Sequence, residues 1–202
     1  SGDPAAQRCI ENLLRSAPTR DLLIGILGNS GFLTQTLARE IEFLPVIFGD
    51  GPDAALKNVI TELNALDPML TQKDTAIALR RAKRRVALLT ALGDLSGVWP
   101  LEKVTACLSS FCETALSVAS SNLLRALHDR GILRLPYPDN PETGSGFIIL
   151  GVGKLGAHEL NYSSDIDLIV LFDDEATPAT NPAEIQQHFI RMTRELVKIM
   201  DE

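Results

Sequence analysis

Cysteine, histidine and aromatic residues are all scarce in this chain. Its 202 residues include 3 Cys and 3 His, and aromatic residues make up 5% of the total. Cys9, Cys107 and Cys112 lack the spacing of metal ligands, and an odd, sparse set of cysteines is not the disulfide framework of a small secreted protein. We therefore expect a reducing compartment, namely the cytoplasm.

Long apolar runs are also absent. No stretch approaches the ~20 apolar residues that a membrane-spanning helix needs. The first residues include Asp3, Arg8 and Glu11, which do not fit a signal peptide. With 45% hydrophobic and 22% charged residues, the composition is that of a globular protein, which excludes disordered, collagen-like and coiled-coil classes.

Basic residues do not outnumber acidic residues in this chain. The net charge is −7, and residues 1–140 contain 15 Lys and Arg against 15 Asp and Glu. Residues 141–202 contain 4 Lys and Arg against 11 Asp and Glu, so the whole acidic excess lies in the last third. This distribution disfavours a nucleic-acid coat, which needs a broad basic face, and it suits a site that collects cations.

Residues 1–134 show helical periodicity. Helix signals predict a start at Asp3-Pro4 and further helices at Asn29 or Ser30 to Phe48, Asp53–Leu66, Lys73–Leu95, and Leu101 to Gly131. Cys107 and Cys112 are five residues apart on the last of these helices, so they point to different sides and should not pair. We expect both cysteines, together with Trp99, to be core residues.

The composition changes at the proline-rich segment 136–141, which we interpret as a linker. Two short apolar runs, Phe147–Leu150 and Ile166–Phe172, are typical of β-strands, and a helix should follow from Asn181-Pro182 to at least Met200. The sequence thus predicts an α+β fold. We expect a helical lead-in over residues 1–140 and a partial domain over 141–202 that continues beyond the chain end.

Two carboxylates stand at the start of the second predicted strand. Asp165 and Asp167 are two residues apart, and alternate strand residues share a face, so both should point the same way. Ile166, Leu168, Val170 and Phe172 should then point into the core. Neighbouring carboxylates repel each other unless a cation lies beside them, and oxygen ligands of this kind suit Mg²⁺.

A glycine-rich turn precedes the carboxylates. Glycine lets backbone N–H groups approach a phosphate closely, and the lysine and two serines could add a point charge and hydroxyl donors. The candidate phosphate- and nucleotide-binding residues are Gly151, Gly153, Lys154, Gly156, Ser163 and Ser164. Together with the acidic pair, they indicate phosphoryl or nucleotidyl transfer with metal ions.

Other interpretations remain open at this point. The pattern Gly151-x-Gly153-x-x-Gly156, with Asp173 or Asp174 further on, also matches a Rossmann-type dinucleotide fingerprint. That fold needs a helical crossover to a parallel strand, for which the gap is barely long enough. Alternatively, the acids lie on the solvent face of an edge strand, the glycines form a plain hairpin turn, and Lys154 is a solvated surface lysine.

The segment from Phe147 to Phe172 resembles the signature of the glutamine synthetase adenylyltransferase family, whose members are also called adenylyl-removing enzymes. The match rests on Gly151–Gly156, Glu159-Leu-Asn, and Ser163-Ser-Asp-Ile-Asp-Leu-Ile. The resemblance implies a DNA polymerase β-like nucleotidyltransferase fold. Asn161 points to the N-terminal half of the family's chain, which removes AMP. The segment beginning Leu79-Arg-Arg-Ala-Lys is similar to the family's helical lead-in.

The resemblance also implies a reaction and partners. Asp165 and Asp167 would be catalytic and hold Mg²⁺, with Mn²⁺ as an alternative. The reaction would be removal of AMP from a tyrosine of glutamine synthetase by phosphate, giving ADP. The implied partners are adenylylated glutamine synthetase, nucleotide and phosphate, and a nitrogen-signalling regulatory protein, with neither nucleic acid nor membrane. The family's site needs a third carboxylate, which we expect beyond residue 202.

Two rival functions fit the same motifs. The rivals are transfer of AMP onto the protein, and a catalytically silent interaction module with the same fold.

The run Arg80–Arg85 contains five cations in six residues. We expect it to form internal salt bridges with the acidic last third, and the alternative is a contact with the substrate protein or its phosphate.

Overall fold

The computed structural model describes the backbone of residues 4–201 and the side chains of residues 8 and 10–201. The helices are α1 (Pro4–Arg15), α2 (Ala17–Asn29), α3 (Gly31–Arg39), α4 (Leu44–Asp50), α5 (Pro52–Asn64), α6 (Gln72–Leu95), α7 (Leu101–Asp129), α8 (Gly153–Gly156) and α9 (Pro182–Asp201). The strands are β1 (Phe147–Val152) and β2 (Asp167–Phe172). The predicted helix start at Asp3 and the side chain of Cys9 lie outside the described residues. Within residues 4–201, no helix combines the length and apolar character needed to cross a membrane.

The long helices are confirmed close to their predicted bounds. The helices α5, α6 and α7 each begin and end within two residues of the predicted positions, and α9 begins at Pro182 and extends past Met200. In α9 the apolar face follows the helical period, and all its members are buried: Ile185, Phe189, Met192, Leu196 and Ile199. Over residues 4–201 the structure is mainly helical with one small sheet, which confirms the α+β class.

The single helix predicted from Asn29 or Ser30 to Phe48 is wrong, because the chain breaks at Glu40. Ser30 caps α3 by accepting the N–H of Leu33 at 3.2 Å, and α3 ends at Arg39. A 3₁₀ turn, Ile41–Phe43, then leads into α4. Pro45 lies in the first turn of α4, where its missing N–H is tolerated, whereas it would interrupt a continuous helix.

Glu40, at the break between the helices, belongs to a buried charge cluster. Glu40 is only 5% exposed, and it accepts hydrogen bonds from Nε of Arg84 at 2.8 Å and Nε of Arg85 at 3.3 Å. Arg85 also donates to Glu62 at 2.9 Å and lies 4.9 Å from the centre of the Phe43 ring. Arg81, Arg84 and Arg85 therefore form internal salt bridges as predicted, but with Glu40 and Glu62 in the helical part, whereas the sequence predicted partners in the acidic last third.

The two strands form an antiparallel hairpin whose register pairs Phe147 with Phe172 and Val152 with Asp167. Phe189 of α9 covers one face, with its ring centre 5.1 Å from that of Phe147 and 5.6 Å from that of Phe172. Leu168, Val170 and Phe172 pack against the core as predicted. The opposite face is exposed and apolar, and it carries Ile148, Leu150, Ile169 and Leu171.

The antiparallel pairing also decides against the Rossmann interpretation. That fold joins parallel strands through a long helical crossover, whereas α8 has four residues and the strands run in opposite directions.

Segment 136–141, which the sequence predicts to be a linker, contains no helix or strand. Just before it, Leu133 pairs with Ala179 in an isolated β-bridge.

The predictions for the cysteines and the tryptophan of the helical part are confirmed. Cys107 and Cys112 are buried and not joined by a disulfide, and burial raises the pKa of Cys112 to about 11. Burial likewise raises the pKa of Cys107, so neither thiol has the low pKa of a reactive cysteine. Trp99 is buried, and its ring nitrogen donates a hydrogen bond to Asp53 at 3.2 Å.

Replacing the buried carboxylate of Glu40 should destabilise the helical layer. We expect Glu40→Gln to lower the free energy of unfolding by about 2 kcal/mol, which is less than a fully buried pair would lose because Arg84 is a third exposed. Urea denaturation of the two proteins measures the difference. Glu42→Gln is the matched control, since Glu42 is exposed two residues away and should change stability by less than ~0.5 kcal/mol. Equal losses in the two variants would contradict the role of the cluster.

Candidate functional site

The predicted site residues gather at one end of the hairpin. β1 ends at Val152 and α8 follows at once, while β2 begins at Asp167, the partner of Val152 in the register. The segment 157–166 connects α8 to β2 and carries Ser163, Ser164 and Asp165. The antiparallel register therefore brings the glycine-rich turn and the acidic motif together, although they are separate in the chain.

Gly153 lies beside Asp167 at this end of the hairpin. Its φ is +58°, a conformation that residues with a side chain adopt rarely. A Cβ built on Gly153 would lie 3.1 Å from Oδ2 of Asp167. The turn therefore needs glycine for two reasons, and the missing side chain leaves the carboxylate of Asp167 open next to the backbone.

Gly151 and Gly156 have a packing role in the described structure. A Cβ on Gly156 would lie 2.6 Å from the carbonyl oxygen of Gly151, and one on Gly151 would lie 2.8 Å from Cγ of the buried Leu155. These glycines let the short helix α8 fold tightly onto the end of β1. A role for them and for the exposed Lys154 in phosphate binding stays a prediction.

Asn161 organises the loop that carries the serines. Its side-chain oxygen accepts the N–H of Ser163 at 3.2 Å and the hydroxyl of Ser164 at 2.7 Å. In turn, the N–H of Asn161 donates to the Ser164 hydroxyl oxygen at 3.0 Å. The Ser164 hydroxyl is thus engaged within the loop, whereas Ser163 lies exposed at its tip. Sequence reasoning assigned Asn161 only to one half of the family and missed this shaping role, which the Asn-x-Ser-Ser spacing could have indicated.

Asp165 does not lie in the strand, contrary to the prediction. β2 begins at Asp167, so strand alternation does not set the direction of the Asp165 side chain. Ile166 likewise precedes the strand and is exposed, which corrects its predicted place in the core. Asp165 lines a cavity of about 360 Å³ together with Asp201 of α9 and Lys83 of α6.

Lys83 is a candidate that the sequence did not single out. It belongs to the basic run, but Arg81, Arg84 and Arg85 follow the i, i+3, i+4 spacing of one helix face, which turns towards Glu40. Lys83 lies on the other side of α6 and lines the cavity beside Asp165. Helical spacing within the run would have separated it from Arg81, Arg84 and Arg85.

Asp165 and Asp167 are the two carboxylates that the sequence predicts to hold a metal. Among the residues that the structure describes, no three His, Cys, Asp or Glu side chains come together as a metal site. Asp165 and Asp167 provide oxygen donors only, which fits Mg²⁺ because this ion commonly binds one or two carboxylates and completes its shell with water and substrate phosphates. The open approach to Asp167 beside Gly153 agrees with such an ion.

Known proteins match nearly the whole chain. A bifunctional glutamine synthetase adenylyltransferase/adenylyl-removing enzyme from Bradyrhizobium diazoefficiens is 39% identical over 203 residues, covering 99% of this chain and 20% of the relative. Its namesake from Bartonella quintana is 41% identical over 185 residues, covering 90% of this chain and 19% of the relative. The chain therefore spans about a fifth of the length of these curated relatives.

The family-level match covers both parts of the fold. Residues 21–202 match the family described as glutamate-ammonia ligase adenylyltransferase, and the matched region includes most of α2, the later helices and the hairpin. The glycine-rich turn and the acidic motif lie inside this match. The chain therefore belongs to the glutamate-ammonia ligase adenylyltransferase family.

Proposed function

We propose that this chain carries the helical lead-in and the first strands of a nucleotidyltransferase site that removes AMP from adenylylated glutamine synthetase. The observation that carries the proposal is the contact between the Gly153 turn and Asp167 at the hairpin end, inside a segment that matches this family. The names of the relatives include both adenylyl transfer and adenylyl removal. The domain would have a DNA polymerase β-like fold, in keeping with a hairpin covered on one face by a helix.

The reaction would be a phosphorolysis. An oxygen of inorganic phosphate attacks the phosphorus of the AMP group, the bond from phosphorus to the tyrosine oxygen breaks, and ADP and the tyrosine hydroxyl result. A bound Mg²⁺, with Mn²⁺ as an alternative, would neutralise charge between the attacking and leaving oxygens. Asp165 and Asp167 would hold this ion.

The other site residues would position the phosphates. The backbone N–H groups of the turn can approach a phosphate closely because Gly153 has no side chain. The exposed Lys154 and the cavity-lining Lys83 provide cations near the acidic motif. The exposed Ser163 can donate a hydroxyl hydrogen bond, whereas Ser164 mainly supports the loop.

The direction of the reaction is proposed from Asn161. The sequence Glu159-Leu160-Asn161 before the two serines resembles the AMP-removing half of the family. A nitrogen-signalling regulatory protein is a further proposed partner on the same basis. Release of ADP from adenylylated glutamine synthetase and phosphate tests the direction, and incorporation of AMP from ATP by the same domain would contradict it.

The acidic pair should be essential for turnover and dispensable for folding. In the full-length protein, we expect Asp165→Asn combined with Asp167→Asn to lower the rate of ADP release by at least about 100-fold. Stability should stay unchanged or rise, because two like charges are removed. The measurement is ADP formation from adenylylated glutamine synthetase, phosphate and Mg²⁺.

A second acidic pair provides the control for this variant. Asp173 and Asp174 follow β2 at the far end of the hairpin, and Asn at residue 173 can still accept the N–H groups of the turn that follows. Asp173→Asn with Asp174→Asn should therefore retain full activity. If the Asp165 and Asp167 variant remains active, the metal assignment is wrong.

Adding a methyl group at Gly153 should disturb Asp167 directly. Gly131 is the matched control, because its φ is +71° but a Cβ there would meet nothing within 4 Å. We expect Gly153→Ala and Gly131→Ala to lose similar stability, about 1–2 kcal/mol each, from the left-handed backbone. Only Gly153→Ala should also weaken Mn²⁺ binding to the 202-residue chain, by roughly tenfold. Equal Mn²⁺ affinities in the two variants would show that Asp167 does not hold the ion.

A further inference from the structure

The loop that carries Ser163, Ser164 and Asp165 crosses an open groove. The groove has a volume of about 650 Å³, and its other walls come from α3, α6 and α7 and the end of α9. Most of its lining is apolar, including Leu33, Val86, Ala91, Leu108 and Phe111. Because the space beneath the loop is not filled by side chains, close packing does not fix the position of the loop on this side.

Polar and apolar anchors attach the loop to the helices instead. At the start of the loop, Leu160 is buried, and its N–H donates to the hydroxyl of the buried Ser109 of α7 at 3.3 Å. Two residues later, the hydroxyl of Tyr162 donates to Oδ2 of Asp94 at 3.1 Å. Asp94 lies in the last turn of α6, so this bond spans the side of the groove and ties the loop to that helix.

Asp94 stands at an unfavourable place in its helix. A carboxylate near the C-terminus of a helix is opposed by the helix dipole, and the last turn of α6 contains no basic residue. The helix alone therefore does not account for a carboxylate at this position. The hydrogen bond that Asp94 accepts from Tyr162, a contact of the tertiary structure, does. Burial and the neighbouring Asp94 both raise the pKa of Tyr162, so the phenol stays protonated and remains a donor.

We propose that Asp94 and Tyr162 are positioning residues that hold the loop bearing Ser163, Ser164 and Asp165 in place over the groove. Tyr162 directly precedes Ser163 and lies three residues before Asp165, so the bond acts on the segment that supplies the proposed metal ligand Asp165 and the proposed hydroxyl donor Ser163. The identity of the site rests on the proposed function, whereas the anchoring of the loop does not.

The experiment compares three variants with a matched control. Tyr162→Phe removes the donor and keeps the ring, Asp94→Ala removes the acceptor, and Asp94→Asn keeps an acceptor oxygen without the charge. Tyr137→Phe is the control, since Tyr137 is the other of the two tyrosines in the chain and is exposed outside the site. The readouts are amide hydrogen exchange at Ser163 and Ser164, Mn²⁺ binding, and ultraviolet titration of the tyrosines.

We expect Tyr162→Phe and Asp94→Ala to increase exchange at Ser163 and Ser164 by roughly tenfold, as loss of one hydrogen bond implies. Both should weaken Mn²⁺ binding without moving the midpoint of thermal unfolding, and the double variant should be no worse than either single one. Asp94→Asn should retain slow exchange, while ionisation of Tyr162 should shift to lower pH. Tyr137→Phe should resemble the unchanged protein in exchange and Mn²⁺ binding.

Two results would overturn the proposal. One is unchanged exchange at the serines in Tyr162→Phe, and the other is faster exchange in Asp94→Asn equal to that in Asp94→Ala. If the unchanged protein binds no Mn²⁺, the proposed metal site fails, and the exchange measurements alone decide whether the loop is anchored as proposed.

Discussion

The pairing of Val152 with Asp167 at the end of an antiparallel hairpin determines where the other site residues lie. It places the first residue after β1, Gly153, against the carboxylate that begins β2. The left-handed φ of Gly153 then turns the chain into α8, and Gly151 and Gly156 allow that helix to lie tightly on the strand it follows. A one-residue slip in register would turn the side chains of β2, including that of Asp167, to the opposite face of the hairpin.

The helical layer supports this hairpin end through α6 and α7. The two sides of α6 have different tasks: Arg84 and Arg85 bind Glu40 on one side, while Lys83 and Asp94 face the cavities beside the loop on the other. α7 contributes the buried hydroxyl of Ser109, which fixes Leu160. The helices therefore provide the surface against which the loop of the site is held.

Local sequence signals account for much of the fold. The periodicity of α9 identifies all five of its buried residues, because an amphipathic helix against a core must keep its apolar side chains on one face. The break at Glu40 is not predictable in this way. It depends on Pro45 and on the burial of Glu40 against arginines more than forty residues away in the chain, and such distant partners leave no periodic pattern.

The sequence by itself determined the α+β class, the long helices, the two strands and the family, because helical and strand periods and the glycine and Ser-Ser-Asp motifs are local properties of the chain. Only the tertiary structure decided that the strands are antiparallel, that Gly153 lies beside the carboxylate of Asp167, and that Asp165 lies before the strand. It also decided that Arg84 and Arg85 face Glu40 while Lys83 lines the cavity beside Asp165. These features depend on contacts between segments that are distant in the chain. Local sequence patterns allow several arrangements of the helices and strands, and the free energy of burying and pairing groups from different elements selects one of them.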